Sequence, residues 1–366
     1  MKIAIVADWL TDFGGAERVI LRLHNLFPDA GIFTSVLNEK NMENFSDAVI
    51  HTSFIQKLPK AKKKHQLYIT LMPYAFEHFD LSEYDIVISS SHACAKGVIT
   101  KPATMHVCYC HSPMRYVWDN CHEYIKQYSL PGIIKKLAEW PLHKLRLWDK
   151  LTADRVDYFI ANSKNTQRRI KKYYKRDSEV IYPMVNTDRF EVSKKKDNYF
   201  IAIGRLIPYK RFDLIVKAFN ELEIPIKIIG AGSELPKLKK MAKKNIEFLG
   251  RTTDERTAEL LKRARALIFP QLEDFGIVPL EAMACGKPVI AFKGGGALET
   301  VVDGKTGIFF KEQTVESLKE AIGKFIKTEK EFDPTAIRKH AEKFSPSVFD
   351  QKIVNFIRSR WKEFNK

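Results

Sequence analysis

Two carboxylates and a glycine follow a short apolar run that ends near residue 269. Glu273 precedes Gly276, and Glu281 lies inside the helix that Gly276 is predicted to open. Carboxylates accept hydrogen bonds from the vicinal hydroxyls of a ribose or hexose, and free amides at a helix start suit a phosphate. In a purely structural interpretation, Glu281 would pair within its own helix and Glu273 would simply be exposed.

A pair of cations follows a second predicted strand, because Arg205 and Lys210 come just after Gly204. An Arg fork and a Lys point charge can hold a diphosphate and stabilise the charge that it gains as a leaving group. The alternative is a solvated basic loop.

A glycine pair, Gly14 and Gly15, lies between the first strand and an apolar-periodic helix. Glycines at such a turn let a ligand approach the backbone, and the helix start favours an anion. The alternative is a plain tight turn. Gly-x-Gly-x-x-Gly is absent here, which argues against a nicotinamide dehydrogenase.

The elements that must position these residues are short apolar strands alternating with helices, a pattern that predicts α/β domains with parallel sheets. Strands are predicted over 2–7, 31–36, 85–89, 105–110, 158–161, 179–182, 198–203, 226–229, 246–249, 266–269 and 289–292, with helices over 211–222, 254–264 and 348–364. The series restarts after a polar linker at 185–197. We therefore expect two Rossmann-like domains facing across a cleft, with ligands beyond the carboxyl ends of the strands.

Composition sets the class of protein. The chain has 366 residues, enough for two full cores, with 45% hydrophobic and 29% charged residues, as in an ordinary globular protein. No apolar run is long enough to span a membrane, and residues 1–8 resemble a first strand rather than a signal peptide. Five cysteines, an odd number, do not form a closed disulfide framework. The sequence thus predicts a cytoplasmic protein.

The net charge is +17, from 61 Lys and Arg against 44 Asp and Glu. A field of that sign attracts phosphates, whether of nucleic acid, anionic lipid or a nucleotide-activated metabolite. No recognition helix, RNA-stacking motif or zinc finger is legible, so no nucleic-acid partner is expected.

The segment around Glu273 and Glu281, Glu-Asp-Phe-Gly-x-x-x-x-Glu-Ala-Met-Ala-Cys-Gly-Lys-Pro-Val, resembles the signature of glycosyltransferase family 4. These are retaining enzymes of the glycosyltransferase B fold. Further matches lie at 14–17, 161–163, 182–183, 204–205, 210, 230–232 and 294–299. The resemblance implies an acceptor-binding domain over 1–187, a nucleotide-sugar-binding domain over 188–345, and a helix over 346–366 that could cross back to the first domain.

Carried over by position, the resemblance implies that Arg205 and Lys210 hold the donor diphosphate. Glu281 would accept from the ribose hydroxyls, and Glu273 would hold the transferred sugar near its 3-hydroxyl. The further donor contacts that it implies are Gly15 on the diphosphate, Gly230 near the base, and the amides around Phe275, Gly276 and Ile277 on the sugar and phosphates.

Residues 110–119, Cys-His-Ser-Pro-Met-Arg-Tyr-Val-Trp-Asp, are similar to a stretch of WbaZ-type mannosyltransferases, which use GDP-mannose to build surface polysaccharides. The resemblance places His111 on the donor sugar. A competing interpretation is a zinc site, whose ligands would be Cys108, Cys110, His111, Cys121 and His122. Cys-x-Cys within a strand is unlike the usual zinc knuckle, which favours core positions for Cys108 and Cys110.

No Asp-x-Asp motif occurs, so we expect no metal and no cofactor beyond the donor substrate, with Arg205, Lys210 and a helix dipole stabilising the leaving diphosphate. The sequence also shows no confident nucleophile. We therefore expect front-face retention, in which His111 positions the sugar rather than acting as a general base.

Basic and aromatic residues interleave over 124–128, 133–140 and 142–148, and 57–64 is a further basic run. Such segments suit the interface of an anionic membrane; the alternative is a helix that docks on its own domain with a solvated face. Peripheral attachment to the inner face of the membrane would fit a glycan or lipid-linked oligosaccharide acceptor. Three alternatives stay open: a UDP-sugar transferase of the same fold, a sugar-nucleotide epimerase, and a non-catalytic nucleic-acid-binding protein.

Overall fold

The computed structural model describes residues 1–41, 43–119, 121, 132–193 and 196–366. The chain divides into two compact units, one formed by Met1–Tyr182 with Asp350–Lys366 and the other by Pro183–Phe349. These divisions lie a few residues from those expected after 187 and 345. Within the predicted linker, Lys194 and Lys195 lie outside the described residues.

The first unit contains a parallel sheet in the order β3-β2-β1-β4-β5-β6-β7. Its strands are β1 Ile3–Ala7, β2 Gly31–Thr34, β3 Ile50–Thr52, β4 Ile86–Ser91, β5 Met105–Cys110, β6 Tyr158–Ala161 and β7 Ser178–Val180. Its helices are α1 Gly15–Leu26, α2 Ala61–Lys64, α3 Met72–Glu77, α4 Gly132–Thr152 and α5 Lys164–Tyr173. Short 3-10 helices cover Glu39–Asn41, Glu43–Phe45, Phe54–Lys57, His65–Tyr68, Ala95–Gly97 and Ala153–Arg155.

The second unit contains a parallel sheet in the order β10-β9-β8-β11-β12-β13. Its strands are β8 Phe200–Ile203, β9 Ile226–Ile229, β10 Ile246–Gly250, β11 Leu267–Phe269, β12 Val289–Phe292 and β13 Gly307–Phe310. Its helices are α6 Phe212–Leu222, α7 Leu235–Met241, α8 Asp254–Arg263, α9 Ile277–Ala284, α10 Ala297–Thr300, α11 Val315–Thr328 and α12 Pro334–Ala341, and α13 Pro346–Phe364 follows. Its 3-10 helices are Thr187–Arg189, Pro208–Lys210, Glu329–Glu331 and Glu342–Phe344.

Burial on both faces explains why most strands were predictable. Every residue of β1, β4 and β5 is buried, so most of these strands read as apolar runs rather than as alternating patterns. Two strands were not predicted. The edge strand β3 has only three residues, two of them exposed, and β13 is a four-residue run that follows a glycine turn at Gly304.

Side-chain caps begin several helices where the sequence offers Ser or Thr. Ser163 accepts a hydrogen bond from the Thr166 amide at the start of α5. Thr253 caps α8 and Thr314 caps α11 in the same way. Each cap satisfies an amide that the helix itself leaves without a partner.

The strand order reverses direction once in each sheet, between β1 and β4 and between β8 and β11. In doubly wound sheets, ligands bind beyond the carboxyl ends of the strands at such a switch point. The prediction of two Rossmann-like α/β domains is confirmed. The loops after β8 and β11, which carry Arg205, Lys210 and Glu273, leave the second sheet at its switch point.

Within the described residues, no helix is both long and apolar enough to cross a bilayer. The predicted interfacial segment 124–128 lies outside the described residues, as do the side chains of 133–138. Further along α4, Trp140 is exposed and Lys144 lies 5.2 Å from its ring centroid, whereas Leu145 is buried. The described part of this helix therefore both packs on its unit and presents a cationic, aromatic face.

Candidate active site

The loop after β8 brings Arg205 and Lys210 to the carboxyl end of the second sheet. Lys210 ends a 3-10 helix that begins at Pro208, and the Lys210 amide donates to the Ile207 carbonyl at 3.1 Å. Arg205 is exposed, and its guanidinium reaches the Tyr209 hydroxyl at 3.5 Å. The Arg205 side chain thus presents most of its donors outward, as a phosphate ligand would require.

Lys210 and Glu273 meet, although 63 positions separate them. Lys210 Nζ lies 2.9 Å from Glu273 Oε1, and both side chains are largely buried, with 15% and 19% of their surfaces exposed. The contact is an ion pair without hydrogen-bond alignment, because Oε1 has no aligned donor among the described residues. Since an ammonium carries three donor hydrogens, one carboxylate oxygen leaves Lys210 with donors for a further anion.

Gly276, three residues after Glu273, is the N-cap of α9. Its φ of 86° is left-handed, and a Cβ there would lie 2.9 Å from Cζ of Phe269, so only glycine fits without strain. In the described structure, the amides of Gly276, Ile277 and Val278 donate to no protein acceptor. The helix start therefore offers open donors beside Glu273, as the sequence predicts.

The other predicted residues of this segment lie on either side of that helix start. Phe275 is buried and its ring lies 5.9 Å from that of Phe344, so its side chain anchors the loop while its backbone precedes the helix. Glu281 lies within α9, partly buried. Glu273, Phe275, Gly276, Ile277 and Glu281 thus all lie on one loop-to-helix transition at the switch point.

A glycine loop after β12 packs against Glu273, a contact that sequence reasoning missed. The Gly296 amide donates to the Glu273 carbonyl at 2.9 Å. A Cβ at Gly295 would lie 2.2 Å from that same carbonyl oxygen, and one at Gly296 would lie 2.3 Å from Phe275 Cα. The repeated glycines at 294–296 were the available signal, because three in a row indicate close backbone approach.

Gly230 fulfils a packing requirement at the end of β9. Its φ is 141°, and a Cβ there would lie 1.9 Å from the Gly204 carbonyl oxygen. The ends of β8 and β9 can therefore approach only because this position lacks a side chain. Its predicted place near the base stays a prediction.

In the first unit, the turn at Gly14 and Gly15 is capped by the chain itself. Gly15 is the first residue of α1 and is exposed, and the Gly14 amide donates to Glu17 Oε2 at 3.0 Å. A helix start can bind an external anion, but here an internal carboxylate already occupies part of it. The contact of Gly15 with a diphosphate stays a prediction.

His111 follows β5, and its ring is held in place. Nε2 lies 2.8 Å from Ser90 Oγ, and the His111 amide donates to the Ser91 carbonyl at 2.8 Å. The Tyr109 ring packs edge-on at 5.1 Å. Ser90 and Ser91 end β4, so the polar end of that strand was the signal for these partners.

Arg169 clamps the segment that follows His111. Its guanidinium donates to Ser112 Oγ at 2.6 Å, to the Pro113 carbonyl at 3.2 Å and to Asp119 Oδ1 at 2.6 Å. These three contacts hold both ends of 112–119 to one side chain. The stretch that resembles mannosyltransferases is therefore fixed by α5, a helix that sequence analysis did not connect with it.

A buried ion pair lies behind the same segment. Lys96 Nζ lies 2.7 Å from Asp149 Oδ1, with 1% and 0% of the side chains exposed. Asp149 also accepts from Trp118 Nε1 at 2.7 Å and from the Tyr174 hydroxyl at 2.9 Å. Burial, reinforced by the Asp149 charge, raises the pKa of Tyr174 well above its usual value, so this hydroxyl stays protonated. The network anchors Trp118.

Asp8 organises the loop after β4. Its carboxylate accepts from the amides of His92 at 2.6 Å, Ala93 at 2.9 Å and Ala95 at 2.7 Å. His92 Nδ1 lies 3.1 Å from Asp8 Oδ2, and the His92 ring lies 6.3 Å from that of His111. Asp8 therefore couples the ends of β1 and β4 at the switch point of the first sheet.

Two of the three cysteines of the zinc interpretation lie in the core, whereas the third, Cys121, is only partly buried. Cys108 and Cys110 are buried in one apolar cluster with residues of β6 and α5. Burial raises the pKa of Cys110 well above its usual value, which keeps the thiol protonated rather than as the thiolate that zinc binds. His122 lies outside the described residues, and those that are described contain no group of three or more potential metal ligands. The core interpretation of Cys108 and Cys110 is confirmed.

Two family models together match residues 13–344 of this chain. The model described as Glycosyltransferase Family 4 matches residues 13–189, and the one described as Glycosyl transferases group 1 matches residues 185–344. The first covers the Gly15 and His111 regions, and the second covers the site around Lys210 and Glu273.

Two curated relatives are similar over part of the chain. An alpha-1,3/1,6-mannosyltransferase of Dictyostelium discoideum is 28% identical over 304 residues, covering 68% of this chain and 69% of the relative. A GDP-mannose-dependent alpha-(1-6)-phosphatidylinositol monomannoside mannosyltransferase of Mycolicibacterium smegmatis is 31% identical over 175 residues, covering 40% of this chain and 46% of the relative. The chain spans about half to two thirds of the length of the curated relatives it matches.

Among solved structures, Anabaena HepE in complex with UDP superposes with a TM-score of 0.75 at 18% identity, covering 98% of this chain and 100% of that one. At this level of identity the likeness concerns the fold.

Proposed function

Because this chain belongs to glycosyltransferase family 4, we propose that it transfers a hexose from a nucleotide-sugar donor to a glycan acceptor. The family and the glycosyltransferase B fold that the sequence predicts are confirmed. Membership also favours an enzyme over a non-catalytic nucleic-acid-binding protein.

The observation that carries the proposal is the Lys210–Glu273 pair beside the open start of α9. A cation, a carboxylate and free amides converge at the switch point, which matches a ligand with both phosphates and sugar hydroxyls. We assign Arg205 and Lys210 to the diphosphate and Glu273 to the hexose. The ribose is assigned to Glu281.

We propose that the donor is GDP-mannose and that the transferred sugar is mannose. One support is the segment 110–119, in which Ser90 holds His111 and Arg169 holds Asp119 at the end of the segment. The other support is the similarity to two mannosyltransferases. In this assignment His111 hydrogen-bonds the donor sugar and fixes its orientation. The acceptor that we propose is a glycan or a lipid-linked oligosaccharide.

We propose a retaining, metal-independent reaction. The bond between the anomeric carbon and the phosphate oxygen breaks, and the acceptor oxygen bonds to the same face of that carbon. The departing phosphate oxygen takes the acceptor proton. Arg205, Lys210 and the amides at the start of α9 stabilise the charge on the diphosphate, which is the role that fixed donors perform best in a site excluded from water.

The test is turnover of purified protein, with chelator present, on GDP-mannose, UDP-glucose, UDP-galactose and ADP-glucose, using oligosaccharide acceptors. We expect transfer from GDP-mannose, undiminished by chelator, and an α-linked product by NMR. If only a UDP-sugar is hydrolysed or used for transfer, the assignment of GDP-mannose as donor is wrong. If activity returns only when a divalent cation is added, the proposed metal independence is wrong.

UDP-sugars are included because the superposed Anabaena structure contains UDP. A covalent glycosyl-enzyme, trapped in an acceptor-free reaction and detected by mass spectrometry, would contradict the front-face step. Conversion of a nucleotide sugar to its epimer without acceptor would instead support the epimerase alternative.

A further inference from the structure

A surface of the first unit combines exposed lysines with exposed apolar side chains. We call it the Lys57–Tyr74 surface and define it by Phe54, Lys57, Lys60, Lys63, Lys64, Leu67, Leu71 and Tyr74, all of which are exposed. It is formed by two 3-10 helices, α2 and the start of α3. None of these residues is among those assigned to the donor, which include His111.

The charge of this surface is uniformly positive. Residues 53–76 contain five lysines and no acidic residue. Lys62 pairs with Glu39 at 2.8 Å, which leaves Lys57, Lys60, Lys63 and Lys64 without a carboxylate among the described residues. The next acid, Glu77, is neutralised by Arg155 at 2.7 Å. The lysines therefore present an unbalanced positive field to an external partner.

Apolar side chains on the same surface are also exposed. Leu67, Leu71 and Tyr74 are 67%, 42% and 55% exposed, and they lie in turn on the 3-10 helix His65–Tyr68, on the turn that follows it and in α3. Phe54, 41% exposed, packs edge-on against Tyr74 with ring centroids 5.7 Å apart.

The opposite face of this segment is already occupied. Met72, Ala75 and Phe76 are buried in the main apolar cluster of the first unit. The chain therefore does not need Leu67, Leu71 and Tyr74 for its own core. Several exposed apolar side chains gathered within one positively charged segment are typical of an interaction surface.

We propose that the Lys57–Tyr74 surface docks this protein onto an anionic lipid bilayer. Lysines bind lipid phosphates, while aromatic and leucine side chains enter the boundary between headgroups and acyl chains. The leucines favour lipid over nucleic acid, because single-stranded nucleic acid binds through aromatic stacking and cationic contacts. Docking in this way would keep the first unit, which carries His111, at the surface that holds lipid-linked acceptors.

The test is sedimentation with vesicles of phosphatidylcholine containing about one third phosphatidylglycerol, compared with pure phosphatidylcholine. Two variants address the two components of the surface: Lys57→Gln/Lys63→Gln/Lys64→Gln and Leu67→Ser/Leu71→Ser. The matched controls lie in the second unit. Lys239→Gln/Lys240→Gln/Lys244→Gln removes the same charge from exposed positions, and Val192→Ser/Ile326→Ser removes side chains that are 40% and 41% exposed.

We expect the lysine variant to bind anionic vesicles about 100-fold more weakly, since each of the three lysines contributes roughly fivefold. The leucine variant should lose at least about fivefold, because apolar burial adds to the electrostatic attraction. Both controls should bind like the wild type, and all four variants should keep the wild-type circular dichroism spectrum and melting temperature.

Equal losses in variants and controls would overturn the proposal, as would absence of wild-type binding to anionic vesicles. Lysine-dependent binding to single-stranded RNA without vesicle binding would replace the bilayer with a nucleic acid. Vesicle binding requires neither donor nor turnover, so its failure leaves the proposed transferase activity intact. Conversely, a protein that binds vesicles but transfers no sugar would support the docking surface and contradict the proposed function.

Discussion

At the scale of single residues, the ion pair of Lys210 with Glu273 joins two groups that have different proposed tasks. Lys210 is assigned to the diphosphate and Glu273 to the hexose, yet their charged atoms lie 2.9 Å apart. Removing either residue therefore also changes the other, because a partly buried charge would lose its partner. The effects of the two substitutions should not add.

Lys210→Ala should lower kcat/KM by about 100-fold to 1,000-fold, the usual cost of losing a donor that stabilises transition-state charge. Glu273→Ala should mainly lower kcat, and Glu281→Ala should mainly raise KM for the donor. Steady-state kinetics with varied donor, including the Lys210→Ala/Glu273→Ala double variant, measures these effects and their coupling.

The control for this series is Lys217→Ala, an exposed lysine on α6 that should leave both kinetic constants unchanged. The site assignment is wrong if Lys210→Ala, Glu273→Ala and Glu281→Ala all keep wild-type rates.

At the scale of elements, the position of Glu273 depends on the glycine loop after β12. Gly295 has a left-handed φ of 57° and approaches the Glu273 carbonyl so closely that a Cβ would lie 2.2 Å from it. Gly304, in the turn before β13, has a similar φ of 71°, but a Cβ there would meet no heavy atom within 4 Å. Both positions have a left-handed conformation that would strain an alanine. Only at Gly295 would the alanine Cβ also clash with a neighbouring atom.

Gly295→Ala should lower kcat by at least about tenfold, because the clash must move Glu273 and small misplacements at a reacting centre are costly. Gly304→Ala should retain nearly wild-type turnover and lose about 1 kcal/mol of unfolding free energy, the strain of alanine in a left-handed conformation. Parallel kinetics and urea unfolding distinguish the two, and equal turnover in both variants would show that the loop does not position Glu273.

At the scale of the whole molecule, each unit contains at least one histidine whose pKa is lowered by burial. In the first unit, burial lowers the pKa of His65 and that of His106 to about 4, with the nearby His92 charge also lowering that of His65. In the second unit, burial lowers the pKa of His340. His65 and His106 are therefore neutral in the folded state near pH 6.

Acid should destabilise the first unit before carboxylates begin to protonate. Histidine in the unfolded chain has a pKa of about 6.5. Below that pH, His65 and His106 bind protons in the unfolded chain but not in the folded one, so the free energy of unfolding falls as pH drops from 6.5 towards 4. At pH 5 the loss is about 2 kcal/mol for each histidine. Calorimetry from pH 7 to pH 5 should show a transition that moves to lower temperature.

A His106→Gln variant isolates one contribution, because glutamine does not titrate in this range. Its stability should depend less steeply on pH than that of the wild type, by about one proton over the steepest interval. An unchanged pH dependence in this variant would show that His106 protonates in the folded state.

The sequence by itself was sufficient for the features that depend on neighbouring residues. Strands such as Met105–Cys110, Ile226–Ile229 and Val289–Phe292 have the predicted bounds, because buried parallel strands are short and largely apolar along their length. The family signature around Glu273 is likewise contiguous, and the open helix start at Gly276 follows from local backbone chemistry. The short edge strand Ile50–Thr52 carries too little apolar signal to predict.

Only the tertiary structure decided which distant residues meet. The pairing of Lys210 with Glu273, the clamp of Arg169 on 112–119, and the outward orientation of Leu67 and Leu71 all depend on how elements pack. A lysine, an arginine or a leucine has the same local propensity whichever partner it finds. The physical reason is that side-chain contacts across a fold are set by strand order and helix docking, which bring together positions that no spacing along the chain relates.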